Sequence, residues 1–549
     1  MTGDGGRPRP IVDTDVDVVV VGAGFAGLYM LHRLRGAGFT ARVLEAGGGV
    51  GGTWYWNRYP GARCDVPSLE YSYGFDDDLQ QDWQWTERYA SQPEILRYLD
   101  HVADRFDLRR DIQLDTRVTG AAFDEATATW TVTTEAGERL TARFVVAATG
   151  CLSAANLPAI PGRDSFRGPT YHTGRWPHEG VDFTGQRVGV IGTGSSAVQS
   201  VPIIAGQAHQ LTVFQRTATY SVPAHNGPLA PGHQDEVKAR YREVRAANRQ
   251  AMAGFGATST LGPPLHAVAD LDAAERARQL DERWGQGGLG FVAVFTDALS
   301  NPDANEVAAD YVRDKIRGIV HDPEVAKLLS PTQVIGCKRL CVDTGYYETF
   351  NRPNVRLVDI SDGGIEAITP TGVRAGGEDH ALDAIVFATG FDAMTGALAR
   401  IRFEGVGGRT LTEAWGEGPR TYLGLAVAGF PNLFVITGPG SPSVLTNMVT
   451  SIEQHVEWIT ACLEHLRAGG HATIEADPEA VENWVAYVNS VAGLTLFPTC
   501  NSWYLGANIP GKPRVFMPLP GFPPYEAMCA NVAVQGYQGF VIDRARVPS

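Results

Sequence analysis

Short, almost wholly apolar runs recur along the chain, and each is closed by a turn. They stand at residues 18–21 (Val-Val-Val-Val), 41–44 (Ala-Arg-Val-Leu), 144–148 (Phe-Val-Val-Ala-Ala), 188–191 (Val-Gly-Val-Ile) and 385–388 (Ile-Val-Phe-Ala). Runs this short, bounded by glycine, predict buried strands of parallel sheets rather than helices. Strand and helix patterns alternate from residue 18 to about residue 150, which predicts an α/β protein. The stretch 233–329 differs. It is rich in Ala, Arg, Glu and Asp at helical spacing, as in Glu236-Val-Lys-Ala-Arg-Tyr-Arg-Glu-Val244 and Val307-Ala-Ala-Asp-Tyr-Val-Arg-Asp-Lys-Ile316. Gly and Pro interrupt it near 254–264 and 285–290. It predicts a small helical subdomain, either a packing cover or a contributor to ligand contacts.

Two of the strands run directly into glycine-rich turns. The first is Gly22-Ala-Gly24-Phe-Ala26-Gly27, after residues 18–21; the second is Gly192-Thr193-Gly194-Ser195-Ser196-Ala197, after residues 188–191. A strand, a tight glycine turn and a helix N-terminus together make a dinucleotide fingerprint. The glycines let backbone approach a pyrophosphate, and the helix end supplies N–H groups and partial positive charge. The two differ where the second strand ends. Glu45 lies 23 residues after Gly22, placed to accept hydrogen bonds from a ribose. The same count from Gly192 reaches Gln215, followed by Arg216 and Thr217. A neutral residue and a cation there suit a ribose 2′-phosphate. The pair predicts FAD at the first site and NADP(H) at the second, hence a flavin oxidoreductase.

Charge and cysteine usage narrow this. The formal charge is −15, which argues against general affinity for nucleic acid or anionic membranes and makes local cations such as Arg216 stand out. No run of about 18 apolar residues predicts a membrane span. The polar start, residues 1–10, predicts no signal peptide. Seven scattered cysteines without a CxxC fit a reducing cytoplasm. The spacing of Cys337 and Cys341 is wrong for a disulfide reductase, and no cluster resembles a metal site.

The Ala-Thr-Gly segments ending at Gly150 and Gly390 flank the second fingerprint. They predict two Rossmann-like domains, with the FAD domain discontinuous. The expected order is an N-terminal FAD segment (1–150), a first NADP segment (151–222), a helical insertion (223–330), a second NADP segment (331–390) and a C-terminal FAD segment (391–549).

Before the second fingerprint stands Phe166-Arg-Gly168-Pro-Thr-Tyr-His172-Thr-Gly-Arg-Trp176-Pro177. It closely resembles the FxGxxxHxxxWP signature of Baeyer–Villiger monooxygenases. Gly51-Gly52-Thr53-Trp54-Tyr-Trp-Asn-Arg-Tyr59-Pro60-Gly61-Ala-Arg-Cys-Asp65 resembles that family's second signature. Further matches are Lys338-Arg339, Gly438-Pro-Gly-Ser-Pro-Ser443 and Asn501-Ser-Trp503-Tyr-Leu-Gly-Ala-Asn508. The resemblance runs from about residue 18 to 540 and is nearest the phenylacetone and steroid branch.

The resemblance implies a chemistry. NADPH reduces FAD, oxygen adds at flavin C4a, and the peroxide anion attacks a ketone, giving an ester or lactone. Such a peroxide needs a fixed cation beside it, and Arg stays charged at any working pH. Arg339 occupies the family's catalytic-arginine position, and Asp65 that of its carboxylate partner. Lys338, Arg216 and Thr217 are expected to grip the 2′-phosphate. Thr53, Trp54, Tyr71, Val118 and Met448 match flavin-lining positions, Val118 through its backbone. Gln199 and Trp503 match NADP contacts, the latter from a lid-like loop over 492–512. Residues 441–445 resemble the substrate-side wall. His172 is expected to serve the linkage between domains rather than proton transfer. No obligate protein partner is expected. Two rival functions remain: a flavin monooxygenase acting on nitrogen or sulfur, and a non-catalytic flavoprotein.

Overall fold

A computed structural model of the chain describes residues 14–512 and 521–543. Its main sheet holds eight strands. Seven lie in the order Arg402–Glu404, Val118–Asp124, Thr129–Thr134, Arg139–Ala147, Val16–Val21, Ala41–Leu44 and Ile112–Gln113; the eighth, Leu433–Val435, also pairs with Arg139–Ala147. The all-valine run is buried on both faces, as its lack of polar residues predicts. Val18 and Val20 face the layer containing helices Phe25–Gly36 and Met448–Gly469. Val19 and Val21 face a second cluster with Trp130, Val132 and Phe403.

The second sheet has five parallel strands, in the order Val355–Asp359, Gln210–Gln215, Arg187–Ile191, Ala384–Phe387 and Thr170–His172. In both sheets the chain leaves the fingerprint strand, pairs its next strand on one side, and receives a much later strand on the other. Each fingerprint turn therefore lies at a topological switch point. Ligands bind there in open α/β sheets, because diverging connections leave a crevice at the strand ends.

The stretch 233–329 is helical, with main helices Tyr241–Gln250, Ala273–Gln286 and Pro302–Ile319. Asp272 and Asn301 cap the last two by accepting from backbone N–H groups. The helical spacing over 236–244 is shared by two helices, His233–Lys238 and Tyr241–Gln250, which part at Ala239 and Arg240. A short parallel pair, Ser221–Pro223 with Cys341–Asp343, fixes the position of Lys338 and Arg339 just before it.

The cysteine pattern needs one correction. Cys337 and Cys500 are bonded to one another, while Cys64, Cys151, Cys341, Cys462 and Cys529 are free and buried. A spacing of 163 residues carries no sequence signal, because the fold alone brings the two together.

Candidate active site

Both fingerprints form nucleotide cradles. Gly22 has φ +106°, and a side chain there would strike the Ala148 carbonyl. A Cβ on Gly52 would lie 2.8 Å from Gly24 Cα, so two loops meet at a distance only glycine allows. The helix starting at Phe25, just before Ala26 and Gly27, has no side-chain cap, and its first N–H groups are left for a ligand. Glu45 is pinned at the strand end: its Oε2 accepts from Ala23 N and its Oε1 from Gly47 N, both at 2.7 Å. Burial pushes its carboxyl up, and the backbone donors oppose that.

Thr53 is exposed and opens a helical turn in which Trp54 is buried; Trp54 Nε1 donates to the Tyr71 hydroxyl at 3.2 Å. Val118 is a core residue at a strand start, so only its backbone is free for contacts. Met448 begins the helix Met448–Gly469, after Asn447 caps it.

At the second cradle a Cβ on Gly194 would meet nothing within 4 Å. The turn opens on a crevice, again below a helix without a side-chain cap, Ser195–Gln207. Ser196 follows in its first turn, and Ala197 packs it against the sheet. Thr193 Oγ1 donates to the Thr217 carbonyl at 2.7 Å, joining the Gly192–Gly194 turn to the next strand end. Gln215 is buried, with Nε2 donating to Leu328 O at 2.7 Å. Its side chain therefore points into the helical insertion and leaves the strand end to Arg216 and Thr217. Arg216 is exposed, and Lys338 is half-buried beside it. Burial and the Arg216 charge both depress the Lys338 ammonium. Two adjacent cations repel one another, and a phosphate dianion between them would relieve that.

Gln199, in the helix of the second fingerprint, is held by the 59–65 loop. Its Oε1 accepts from the Tyr59 hydroxyl at 2.8 Å and from Arg63 N at 3.3 Å, and its Nε2 donates to Arg63 O at 3.1 Å. The amide joins the 51–65 signature to the helix of the second fingerprint, and Gly61 lets the loop lie directly on this helix.

The loop 59–65 also delivers Asp65 to Arg339. Arg339 Nε donates to Asp65 Oδ2 at 2.5 Å and Nη2 to Oδ1 at 2.8 Å, a bidentate pair. Nη1 donates to Val444 O at 2.6 Å, within the stretch expected to wall the substrate side. Burial alone would lower the Arg339 pKa; the Asp65 charge and hydrogen bonds reverse this and raise it. The result is a fixed cation where the 59–65 loop, 441–445 and 492–512 converge. Val444's carbonyl was not singled out by sequence, since a backbone acceptor leaves no side-chain signature.

His172 is buried. Its Nδ1 accepts from Gly174 N at 2.9 Å, and its Nε2 lies 3.3 Å from Asn156 O and 3.4 Å from Thr389 Oγ1. Burial depresses its pKa, so it is a neutral staple between three segments. Gly168 lies so near Asp383 O that a Cβ would be 2.3 Å away, with the Phe166 ring against it. Trp176, before Pro177, is buried against Tyr171 and Phe183, and its backbone N–H donates to Trp56 O at 3.4 Å. Trp503 is partly exposed, its ring 4.4 Å from Tyr504.

Two switch-point cradles, one beside an acid and one beside paired cations, with a carboxylate-held arginine between the loops, define a two-nucleotide α/β oxidoreductase. A family described as pyridine nucleotide-disulphide oxidoreductase matches residues 19–254. A Baeyer–Villiger monooxygenase of Pseudooceanicola batsensis is 42% identical over 97% of each chain. A phenazine N-monooxygenase of Lysobacter antibioticus is 42% identical over 96% of this chain and 97% of its own. A solved structure of oxidised steroid monooxygenase bound to NADP is 53% identical, with TM-score 0.91, covering 96% of this chain and all of the other. The chain belongs to the Baeyer–Villiger monooxygenase family.

Proposed function

We propose that this chain uses NADPH, O2 and FAD to convert a small ketone to an ester or lactone. The observation that carries it is the bidentate Asp65–Arg339 pair, half-buried where the 59–65 loop meets residues 441–445. Bound FAD would accept hydride and activate oxygen; the protein's share is placement and charge. Gly22, Gly24, Gly27 and Glu45 would hold the flavin nucleotide, and Trp54, Tyr71 and Met448 would line its site. Arg216, Thr217 and Lys338 would hold the 2′-phosphate of NADPH, and Trp503 would contact the same nucleotide. Arg339 supplies an orientable cation that favours a deprotonated oxygen nucleophile and the oxyanion formed at the ketone carbon. Asp65 orients it.

The domain division at 150, 222, 330 and 390 belongs to this proposal. The strand membership of the two sheets supports it. A cytoplasmic location is proposed as well, without an obligate protein partner. No helix among the described residues is long and apolar enough to cross a membrane.

A second function, oxygenation of a heteroaromatic nitrogen, is favoured by the phenazine N-monooxygenase relative. Purified enzyme with NADPH, oxygen, and parallel panels of ketones and nitrogen heteroarenes separates the two. Ester or lactone from ketones is expected. N-oxide alone would replace the proposal, and no turnover of either would overturn both.

A further inference from the structure

The segment 492–512 is fastened at several points. Leu496 N donates to Leu299 O at 2.9 Å, and Cys500 is bonded to Cys337. Lys512 forms an ion pair with Asp392 and donates to Ala393 O at 2.6 Å. Between Cys500 and Lys512 lies the 3₁₀ turn Trp503–Leu505, capped by Ser502 Oγ, which accepts from Tyr504 N at 3.2 Å.

That turn drives the Tyr504 ring inward, to 3% exposure. It packs 6.0 Å from Phe497 and 4.4 Å from Trp503, in a cluster with Cys151, Met394 and Val444. Packing of this kind needs a ring and no hydroxyl. Yet this ring carries one, and Val444, in the same cluster, is the residue whose carbonyl Arg339 Nη1 reaches at 2.6 Å, which brings Tyr504 to the guanidinium. A guanidinium has five N–H donors in a rigid fork. Asp65 takes two and Val444 a third, which leaves two for another acceptor. The phenol is the neutral group at hand. It can accept from Arg339 without neutralising it, as a second carboxylate would.

We propose that Tyr504 is a positioning residue: its hydroxyl fixes the open side of Arg339, so that the cation takes its working orientation only when the 492–512 segment is seated. This rests on Arg339 being the cation used in oxygenation. The consequence is a division between two stages of turnover. Flavin reduction by NADPH needs nucleotide placement and not Tyr504. Oxygen transfer to the ketone needs Arg339 in place. Without the hydroxyl, activated oxygen is lost as hydrogen peroxide, the two electrons and two protons coming from NADPH and solvent.

The test compares holoenzyme variants Tyr504→Phe, Arg339→Ala and Leu505→Ala, the last a buried neighbour in the same turn. Anaerobic stopped flow gives the rate of flavin reduction; product and peroxide assays give ester per NADPH consumed. For Tyr504→Phe, reduction rate and melting temperature should match wild type. Ester per NADPH should fall about tenfold, the scale of one charge-assisted hydrogen bond, with peroxide rising to match. Leu505→Ala should keep the wild-type ratio. Tyr504→Met removes the same hydroxyl and stands in if the Phe variant does not fold. Normal coupling in the hydroxyl-deleted protein, beside an uncoupled Arg339→Ala, overturns the role of Tyr504 alone. Normal ester yield from Arg339→Ala overturns the Arg339 assignment itself. Parallel loss of reduction and oxygenation, or equal uncoupling by Leu505→Ala, reduces Tyr504 to packing and overturns the proposal.

Discussion

Arg216 and Lys338 sit side by side with no carboxylate partner among the described residues, in a protein of net charge −15. Neighbouring cations cost stability unless something anionic visits them. A charge-assisted hydrogen bond contributes roughly 1.5–3 kcal/mol, and about 1.4 kcal/mol is tenfold in affinity. Arg216→Ala or Lys338→Ala is therefore expected to raise the KM for NADPH by about tenfold to a hundredfold on those scales, leaving NADH use little changed. Steady-state kinetics with both coenzymes checks this. Equal losses for NADH and NADPH would mean that the two cations support the fold instead. Gln215 shows how far sequence reaches at this scale. Its neutrality was legible, but its turn toward Leu328 O was not, because that carbonyl lies 113 residues away in an insertion without a motif.

At the scale of elements, the helix Met448–Gly469 carries a buried acid that the cradles do not use. Glu453 Oε1 accepts from Gly74 N at 2.6 Å. Burial pushes its carboxyl up to about 7; Arg245 and Arg249 pull it down, and Glu457 pushes it further up. A folded-state pKa raised above the unfolded value means the native state binds the extra proton. Stability is thus greatest below about pH 4.5 for this group and is lost as pH rises toward 7. The span corresponds to about 3 kcal/mol. Glu453→Gln, which stays neutral, should abolish that share of the decline. Urea unfolding of both proteins at pH 5 and pH 8 reads it, and an identical pH dependence would contradict it.

The Cys337–Cys500 bond is the second feature at this scale. It ties the 492–512 segment to the residue just before Lys338. Cys500→Ser, or wild type under a thiol reductant, should be cut faster by protease within that segment. Mass spectrometry of the fragments follows the site of cleavage; an unchanged pattern would show that the other fastenings suffice.

For the whole molecule, the two-sheet architecture was legible because parallel strands buried on both faces must be apolar runs, and switch-point turns must be small. The runs at 18–21 and 188–191 meet both demands. The partners of Arg339 were half legible. Asp65 stood in a signature; Val444 O and the Tyr504 hydroxyl did not, since one is backbone and the other reads as an ordinary core aromatic. The parting of the two helices at Ala239 and Arg240 was not legible for a similar reason, as helical periodicity continues across it. Gly24→Val should give protein without bound flavin, since the added side chain would enter the gap against Gly52. Flavin absorbance of the purified variant measures this, and full occupancy would refute the cradle.

The main sheet also sets a timetable. The strand Arg139–Ala147 takes Leu433–Val435 as a neighbour, and Val118–Asp124 takes Arg402–Glu404. During synthesis, the fingerprint at residues 22–27 leaves the ribosome long before either closing strand exists. Its sheet must wait with bare edges, which are sticky, and long-range pairing is slow. The intervening five-stranded sheet closes within 170–387 and needs nothing from later residues. The second nucleotide fold should thus mature first, inside an unfinished first one. A nascent chain stalled on a linker so that residues 1–390 have cleared the ribosomal tunnel should bind NADP and no flavin, a difference that tryptophan quenching and flavin fluorescence would register. Flavin capture would then be the closing event of biogenesis, and scarcity of flavin would be felt as aggregation rather than as slow turnover.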